Sequence, residues 1–455
     1  MNIYIELEVL KRELESRILI GLNLKCLGNR VFLGHRESIF EAALKNKISS
    51  GVIFMKDVNS NEEYISIYKK LKEKGFKIVS QDEEGGYIDD SFELYSKLRH
   101  LNGKSFNYID YYFCWGKRDE VYLSNKFKLC NFFITGSPRI DFCKTEMKLP
   151  REKFEKKYNI KNKFIFFTIQ SPIIFARSFP ERMKLKLSSL ESDEDINYIN
   201  KVKYEDECRG ILILNKFIEL IIYLISNLKD YDIVVRPHPA ANPDNLKDLI
   251  GFEHKRLHII SDGFMSEFIS HSDIIVHNSC TGALEAYVAN KPVISFVPDI
   301  KLDTNDRFDN FPNRIGTKCK TIQEVVSFIN KPIINNSEIK EIKNRIFLEK
   351  NSDELISNII NNIKIKSENN YANFSYNIKK TYIYFFLKEQ FKKILKKYFN
   401  ITIGNHKSAR YIKFNKDFKK NILENVLENI IMKKKNNDFK KYKIKIINDS
   451  IFEII

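Results

Sequence analysis

Short, almost wholly apolar runs alternate along most of the chain with longer stretches whose apolar positions recur every three or four residues. The short runs predict strands at Asn2–Glu8, Arg30–Gly34, Val52–Met55, Phe76–Ser80, Tyr111–Trp115 and Asn131–Thr135. Between them, helices are predicted at Arg12–Leu27, with Leu14, Ile18 and Leu22 on one face, and at Ser38–Lys45 and Glu62–Lys74. The charged stretch Lys148–Lys163 reads as a linker. A second series follows, with strands at Phe164–Ile169, Tyr231–Val235, Leu257–Ile260, Asp273–Val276 and Val293–Phe296. Its helices fall at Ile211–Asn227, Asn245–Ile250, Phe264–Ser270 and Thr281–Ala289. Arg177–Glu207 is a polar insertion without clear periodicity. Strands alternating with helices of this length indicate parallel, doubly wound sheets. The expected fold is α/β: a Rossmann-like domain over 1–147 faces a second over 160–360 across a cleft, and a helical extension follows over 361–455.

Two segments of the second series carry chemistry. One strand runs into Arg236-Pro237-His238-Pro239, and a later one into His277-Asn278-Ser279-Cys280-Thr281-Gly282-Ala283-Leu284-Glu285. Both lie at the carboxyl end of a predicted strand, where open α/β sheets bind ligands. The prolines restrict the backbone around them and so fix where Arg236 and His238 point. Ser279 and Thr281 stand where helix-capping hydroxyls belong, and a helix start with free N–H groups favours anions. Either segment alone reads equally as an ordinary loop or helix start. Together, in one βαβ series, they describe a pocket for a phosphorylated, nucleotide-bearing ligand.

Charge and cysteine content narrow the setting. The net charge of +17 is concentrated at the end of the chain. Residues 361–455 hold 22 Lys and Arg against 8 Asp and Glu, whereas the preceding residues hold 54 against 51. A nucleic-acid-binding core is therefore not expected. Ser375–Asn400 interleaves lysines with Tyr376, Tyr382, Tyr384, Phe385, Phe386, Phe391, Tyr398 and Phe399. Such a basic, aromatic helix suits either an anionic membrane surface or packing on the core. The seven cysteines are scattered and form no CxxC pair, which implies neither a zinc site nor a disulfide framework and fits the cytoplasm. There is no signal peptide pattern and no apolar run long enough to span a membrane. Asp193-Glu194-Asp195 lies in the polar insertion and reads as a solvated charge run, so no metal is expected. No Gly-x-Gly-x-x-Gly or P-loop pattern occurs, and no cofactor is expected beyond the donor itself.

With these residues in view, the chain resembles a bacterial surface-carbohydrate biosynthesis family of GT-B-like proteins. The resemblance rests on Ile3–Glu8 with Lys11–Arg17, Phe32–Ser38, Gln81–Gly86, Phe113–Gly116, Thr135–Asp141 and the two segments above. It extends to CDP-glycerol glycerophosphotransferases through Gly136-Ser137-Pro138-Arg139-Ile140-Asp141, and to sialyl- and Kdo-transferases through Arg236–Pro239 and the Ser/Thr segment. It implies transfer of a sugar, such as a keto-deoxy sugar from a CMP-activated donor, to a glycan or lipid-linked glycan acceptor at the inner face of the cytoplasmic membrane. CDP-polyol phosphotransfer, nucleotide-sugar epimerisation and a non-catalytic membrane-tethered scaffold are the competing readings.

A departing nucleotide leaves negative charge on phosphate, which preorganised donors must meet. His238 is expected to hydrogen-bond or protonate that phosphate, with Ser279, Thr281, Gly282 and the flanking Pro239, His277 and Asn278 forming its surroundings. Arg236 either contacts phosphate or braces its loop, and Glu285 either accepts ribose hydroxyls or is an ordinary helix-face residue. The base or nucleophile is expected from the first domain, from Asp82, Glu83 or Glu84, whose mutual repulsion favours a raised pKa. Asp141 is a second candidate, with a salt bridge to Arg139 as its alternative.

Overall fold

Strand β1, Asn2–Leu7, is buried at every position rather than at alternate ones. A strand covered on both faces needs helices on both sides of its sheet, the arrangement of parallel α/β folds. The computed structural model describes residues 1–83, 85, 103–144, 147–169, 193–238, 241, 243–300, 311–334, 339–365, 414, 418–448 and 450–455. It divides into two units, Met1–Phe142 with Lys340–Ile455, and Cys143–Ile339.

In the first unit, β1 pairs in parallel with β2 (Arg30–His35) on one side and β3 (Val52–Met55) on the other. Beyond β3 follow β4 (Lys77–Ser80), β5 (Tyr111–Cys114) and β6 (Asn131–Ile134), all parallel. The second unit holds six parallel strands: β7 (Lys163–Ile169), β8 (Tyr231–Pro237), β9 (Leu257–Ile259), β10 (Ile274–His277), β11 (Val293–Phe296) and β12 (Thr317–Cys319). Their spatial order is β12-β11-β10-β7-β8-β9, the doubly wound 3-2-1-4-5-6 order of a Rossmann sheet read from its other edge. Both expected sheets are therefore present, and the second gains β12 beyond the strands read from the sequence.

Three stretches differ from the pattern-based reading. The polar insertion contains the start of a long helix, Asp193–Asn227. Its second half buries Leu214, Phe217, Leu220, Ile221 and Leu224, and helix propagation from that anchored half carries through residues with weak periodicity. The expected linker contains the helix Arg151–Tyr158, whose Phe154 is fully buried against Phe164 and His271. At the end of the chain, the described residues include the helix Lys420–Lys434 and a hairpin of β13 (Ile444–Asn448) and β14 (Ile451–Ile454). Strand β14 runs antiparallel to β2, so the chain end extends the first sheet instead of forming a wholly helical appendage. The β-branched density of Ile444–Ile455 favours strand. The helix Ser352–Asn361 also belongs to the first unit, where Asn23 Nδ2 donates to Asp353 Oδ2 at 2.7 Å. Ser375–Asn400 lies outside the described residues. No helix among the described residues is long and apolar enough to cross a membrane.

Candidate functional site

Strand order in the second sheet reverses between β7 and β10, and ligands of doubly wound sheets enter at the carboxyl ends beside such a reversal. Ser295, His277, Thr168 and Arg236 are in register across the carboxyl ends of four neighbouring strands, β11, β10, β7 and β8. All four are buried. A polar row in otherwise apolar strands needs partners, and three of its members have them.

His277 is the centre of the row. Its Nε2 lies 2.9 Å from Ser295 Oγ, and Ser295 Oγ itself donates to the Ile315 carbonyl at 2.9 Å. Its Nδ1 accepts from the Cys280 N–H at 3.4 Å. These bonds assign the proton to Nε2 and hold the ring neutral, while burial pushes its pKa down to about 4. His277 therefore fixes the turn after β10 rather than offering a charge.

That turn is Asn278–Thr281. Asn278 Nδ2 donates to the Phe296 carbonyl at 2.8 Å, tying the turn to β11. Ser279 adopts a left-handed backbone with φ of 51°, which costs a non-glycine residue on the order of 1 kcal/mol. Asn313, 1% exposed in the short helix Phe311–Arg314, holds it there. Its Oδ1 accepts from the Ser279 N–H at 2.6 Å, and its Nδ2 donates to Ser279 Oγ at 3.0 Å. Ser279 Oγ also donates to Asn278 Oδ1 at 3.0 Å. The helix Gly282–Val288 follows, with Thr281 at its cap position in helical conformation and making no side-chain cap bond. The expected capping hydroxyls thus do not cap, because Ser279 is committed to the two asparagines. A Cβ on Gly282 would approach Met265 Cε to 2.8 Å, the end of a flexible side chain that can move aside. Glu285, buried on the same helix, contributes negative potential at Arg236.

Arg236 braces its surroundings. Its Nη1 and Nη2 donate to the carbonyls of Asp262 and Gly263, each at 2.6 Å, and its guanidinium lies 5.2 Å from the Phe268 ring centroid. Of the two roles open to it, the structure places it in the second, through backbone carbonyls rather than a carboxylate. His238 is half-buried at the end of β8, where its N–H donates to the Ile169 carbonyl at 3.0 Å. Pro239 lies outside the described residues.

Thr168 differs from its neighbours. It is 6% exposed at the end of β7, and its Oγ1 has no hydrogen-bond partner among the described residues. A buried hydroxyl without a partner costs about 1–3 kcal/mol. Thr168, Ser295 and Asn313 join the site without having been marked by sequence pattern. Thr168 and Ser295 sit inside apolar strand runs, where a single hydroxyl gives no signal. Asn313 reaches the turn from a separate helix, and no spacing in the chain reports that contact.

Glu83 Oε1 pairs with Arg17 Nη2 at 2.8 Å, and the Asp82 carbonyl accepts from Trp115 Nε1 at 2.7 Å. Glu84 lies outside the described residues. A Cβ on Gly85 would meet Trp115 Cδ1 at 3.0 Å, so the glycine lets this turn lie against the indole. Asp141 plays a structural part, since its Oδ2 accepts from the Ser352 N–H at 2.7 Å and satisfies the start of the helix Ser352–Asn361. Burial pushes up the carboxyls of Glu6 and Asp119, each to about 7, and that of Glu13.

No protein-family model matches the chain, and no curated protein sequence matches it. Solved structures do. The wall teichoic acid polymerase TagF, in a structure soaked with CDPG, is 13% identical; 79% of this chain and 87% of that chain are covered, with a TM-score of 0.51. The UDP-GlcNAc 2-epimerase from Methanocaldococcus jannaschii is 14% identical over 79% of this chain and 99% of that one, with a TM-score of 0.46. At these identities the likeness is one of fold, and the TagF match carries it. The chain has a GT-B-like α/β fold built on two Rossmann-like units.

Proposed function

We propose that the protein is a glycosyltransferase of surface-polysaccharide synthesis that binds a cytidine-nucleotide-activated donor at the carboxyl edge of the second sheet. The observation that carries this reading is the buried row Ser295–His277–Thr168–Arg236, continuous with the Ser279 turn at the strand-order reversal. The asparagine bonds hold left-handed Ser279 in place before any ligand arrives, so the turn that would meet a phosphate is preorganised. His238, directly after β8, and Thr281, the last residue of that turn, are further donors, and Glu285 lies one helical turn beyond Thr281. In the first unit, the turn containing Asp82 and Glu83 supplies the carboxylate that accepts the acceptor hydroxyl's proton. A keto-deoxy sugar on CMP is the donor that the family resemblance favours. Phosphotransfer from a CDP-polyol is the second reading, supported by the TagF likeness.

Turnover tests this. Incubation with CMP-activated and CDP-activated donors, followed by chromatography of released nucleotide, is expected to show CMP release. Thr168→Val keeps the shape and removes the orphan hydroxyl. It should lower turnover about tenfold, one hydrogen bond's worth, while raising unfolding free energy by about 1 kcal/mol. Release of CMP from a CDP-polyol with polyol phosphate transferred would favour the second reading. No nucleotide release from any donor would remove both.

A further inference from the structure

The first sheet has its own reversal, with β2 on one side of β1 and β3 on the other, so the carboxyl ends of β1 and β3 flank a ligand position. The side chains there are charged and buried. Glu13, on the helix Leu10–Cys26, is wholly buried, and its Oε2 accepts from the N–H groups of Glu8 at 2.8 Å and Val9 at 3.2 Å. Its Oε1 has no hydrogen-bond partner among the described residues. Lys56 Nζ, 3.7 Å away, is engaged by Glu8 Oε2 at 2.7 Å.

One turn further along the helix stands Arg17, also wholly buried. Its guanidinium lies 4.1 Å from the Phe54 ring centroid, and Nη2 is 2.8 Å from Glu83 Oε1. Beyond that ion pair, its nitrogens have no hydrogen-bond partner among the described residues. A guanidinium carries five N–H donors, and leaving them dry is expensive unless a ligand takes them up. Helical side chains lean toward the helix start, so Glu13 and Arg17, about 6 Å apart along the axis, both project to the carboxyl edge of the sheet.

We propose that Arg17 and Glu13 form a second ligand site, which takes a sugar bearing an anionic group, carboxylate or phosphate, with the anion on Arg17 and a hydroxyl on Glu13 Oε1. A bare anion fits poorly, because Glu8, Glu13 and Glu83 surround the position. A ligand that also donates a hydroxyl answers both unmet groups at once. Burial raises the Glu13 pKa, with Lys56 and Arg12 opposing, and its part here is to bind that hydroxyl, the proton acceptor for transfer remaining in the Asp82–Glu83 turn. The inference rests on the transferase reading and specifies its acceptor as an acidic sugar.

The test is saturation-transfer NMR on the full chain with galacturonate, galactose 6-phosphate and galactose as probes. At least one acidic sugar should show transfer and galactose should not; which acidic sugar responds separates carboxylate from phosphate recognition. Arg17→Met combined with Glu83→Gln, which leaves no buried lone charge, should weaken the response at least tenfold. Arg17→Lys should retain part of it. A thermal shift with cytidine nucleotides, unchanged in these variants, reports that the fold is intact. Equal response to galactose, no response to either acidic sugar, or undiminished binding by the double variant would overturn the inference. Wild-type response to acidic sugars with none to any nucleotide would instead sink the transferase reading and leave an acidic-sugar site alone.

Discussion

Asn313→Ala is expected to weaken nucleotide binding by at least about 100-fold and to lower unfolding free energy by about 2–4 kcal/mol. Asn313 holds Ser279 by two bonds, one to its N–H and one to its hydroxyl. Without it, the Ser279 N–H loses its partner and the left-handed residue has no reason to keep its strained backbone. A shift of about 1 Å in a turn proposed to face a phosphate is enough for a loss of this size. Ser279→Gly is the informative counterpart. Glycine relieves the strain and keeps the N–H bond to Asn313 but loses the hydroxyl's bonds to Asn278 and Asn313, so stability should change little while binding falls by about tenfold, less than in Asn313→Ala. Calorimetric titration and urea unfolding of both variants measure these quantities. Tight nucleotide binding by Asn313→Ala would remove the turn from the site.

Acidification from pH 7 to pH 5 is expected to act on the two units in opposite directions. In the second unit, burial lowers His277 and His271 from the ordinary 6.5 to about 4. Between those values the unfolded chain binds more protons than the folded one, so stability falls as pH falls. For His277 alone the loss reaches about 2 kcal/mol by pH 5, and it is complete near pH 4. In the first unit, burial raises Glu6 and Asp119 from 4.5 and 3.8 to about 7. There the folded state holds the extra protons across the same window, and acidification stabilises it. Peptide-resolved hydrogen exchange, corrected for intrinsic rates, should show protection falling in β7, β8 and β10 and rising in β1, β3 and β5. Parallel loss in both sheets would contradict these protonation states.

The strands were legible because their apolar runs are short and bounded by polar residues, and β1 to β11 all lie where those runs fall. The hairpin at the chain end was not. Ile444–Asn448 and Ile451–Ile454 are set among lysines and asparagines, so net charge masked their β-branched content. The candidate segments lie at strand ends, and Arg236 takes the bracing role that was one of its two readings, but the partners of these residues were not legible. Arg236 and Asp141 each satisfy backbone groups of segments remote in sequence, Asp262–Gly263 and Ser352, and no local pattern signals such partners. Burial explains the carboxylates too. Side-by-side charges in Asp82–Glu84 suggested a raised pKa, yet the strongest lifts fall on Glu6, Glu13 and Asp119, which are wholly enclosed.

The central claim is a preformed nucleotide site at the reversal of the second sheet, and thermal shift with CMP, CDP, UMP, UDP, GDP and ADP tests it most directly. A ligand at about a hundred times its dissociation constant stabilises by about 2.7 kcal/mol, a visible displacement of the melting temperature. The account predicts stabilisation by a cytidine nucleotide above the others, abolished in Asn313→Ala and reduced in Thr168→Val. Absence of a shift with every nucleotide, or one that survives both substitutions, would contradict it.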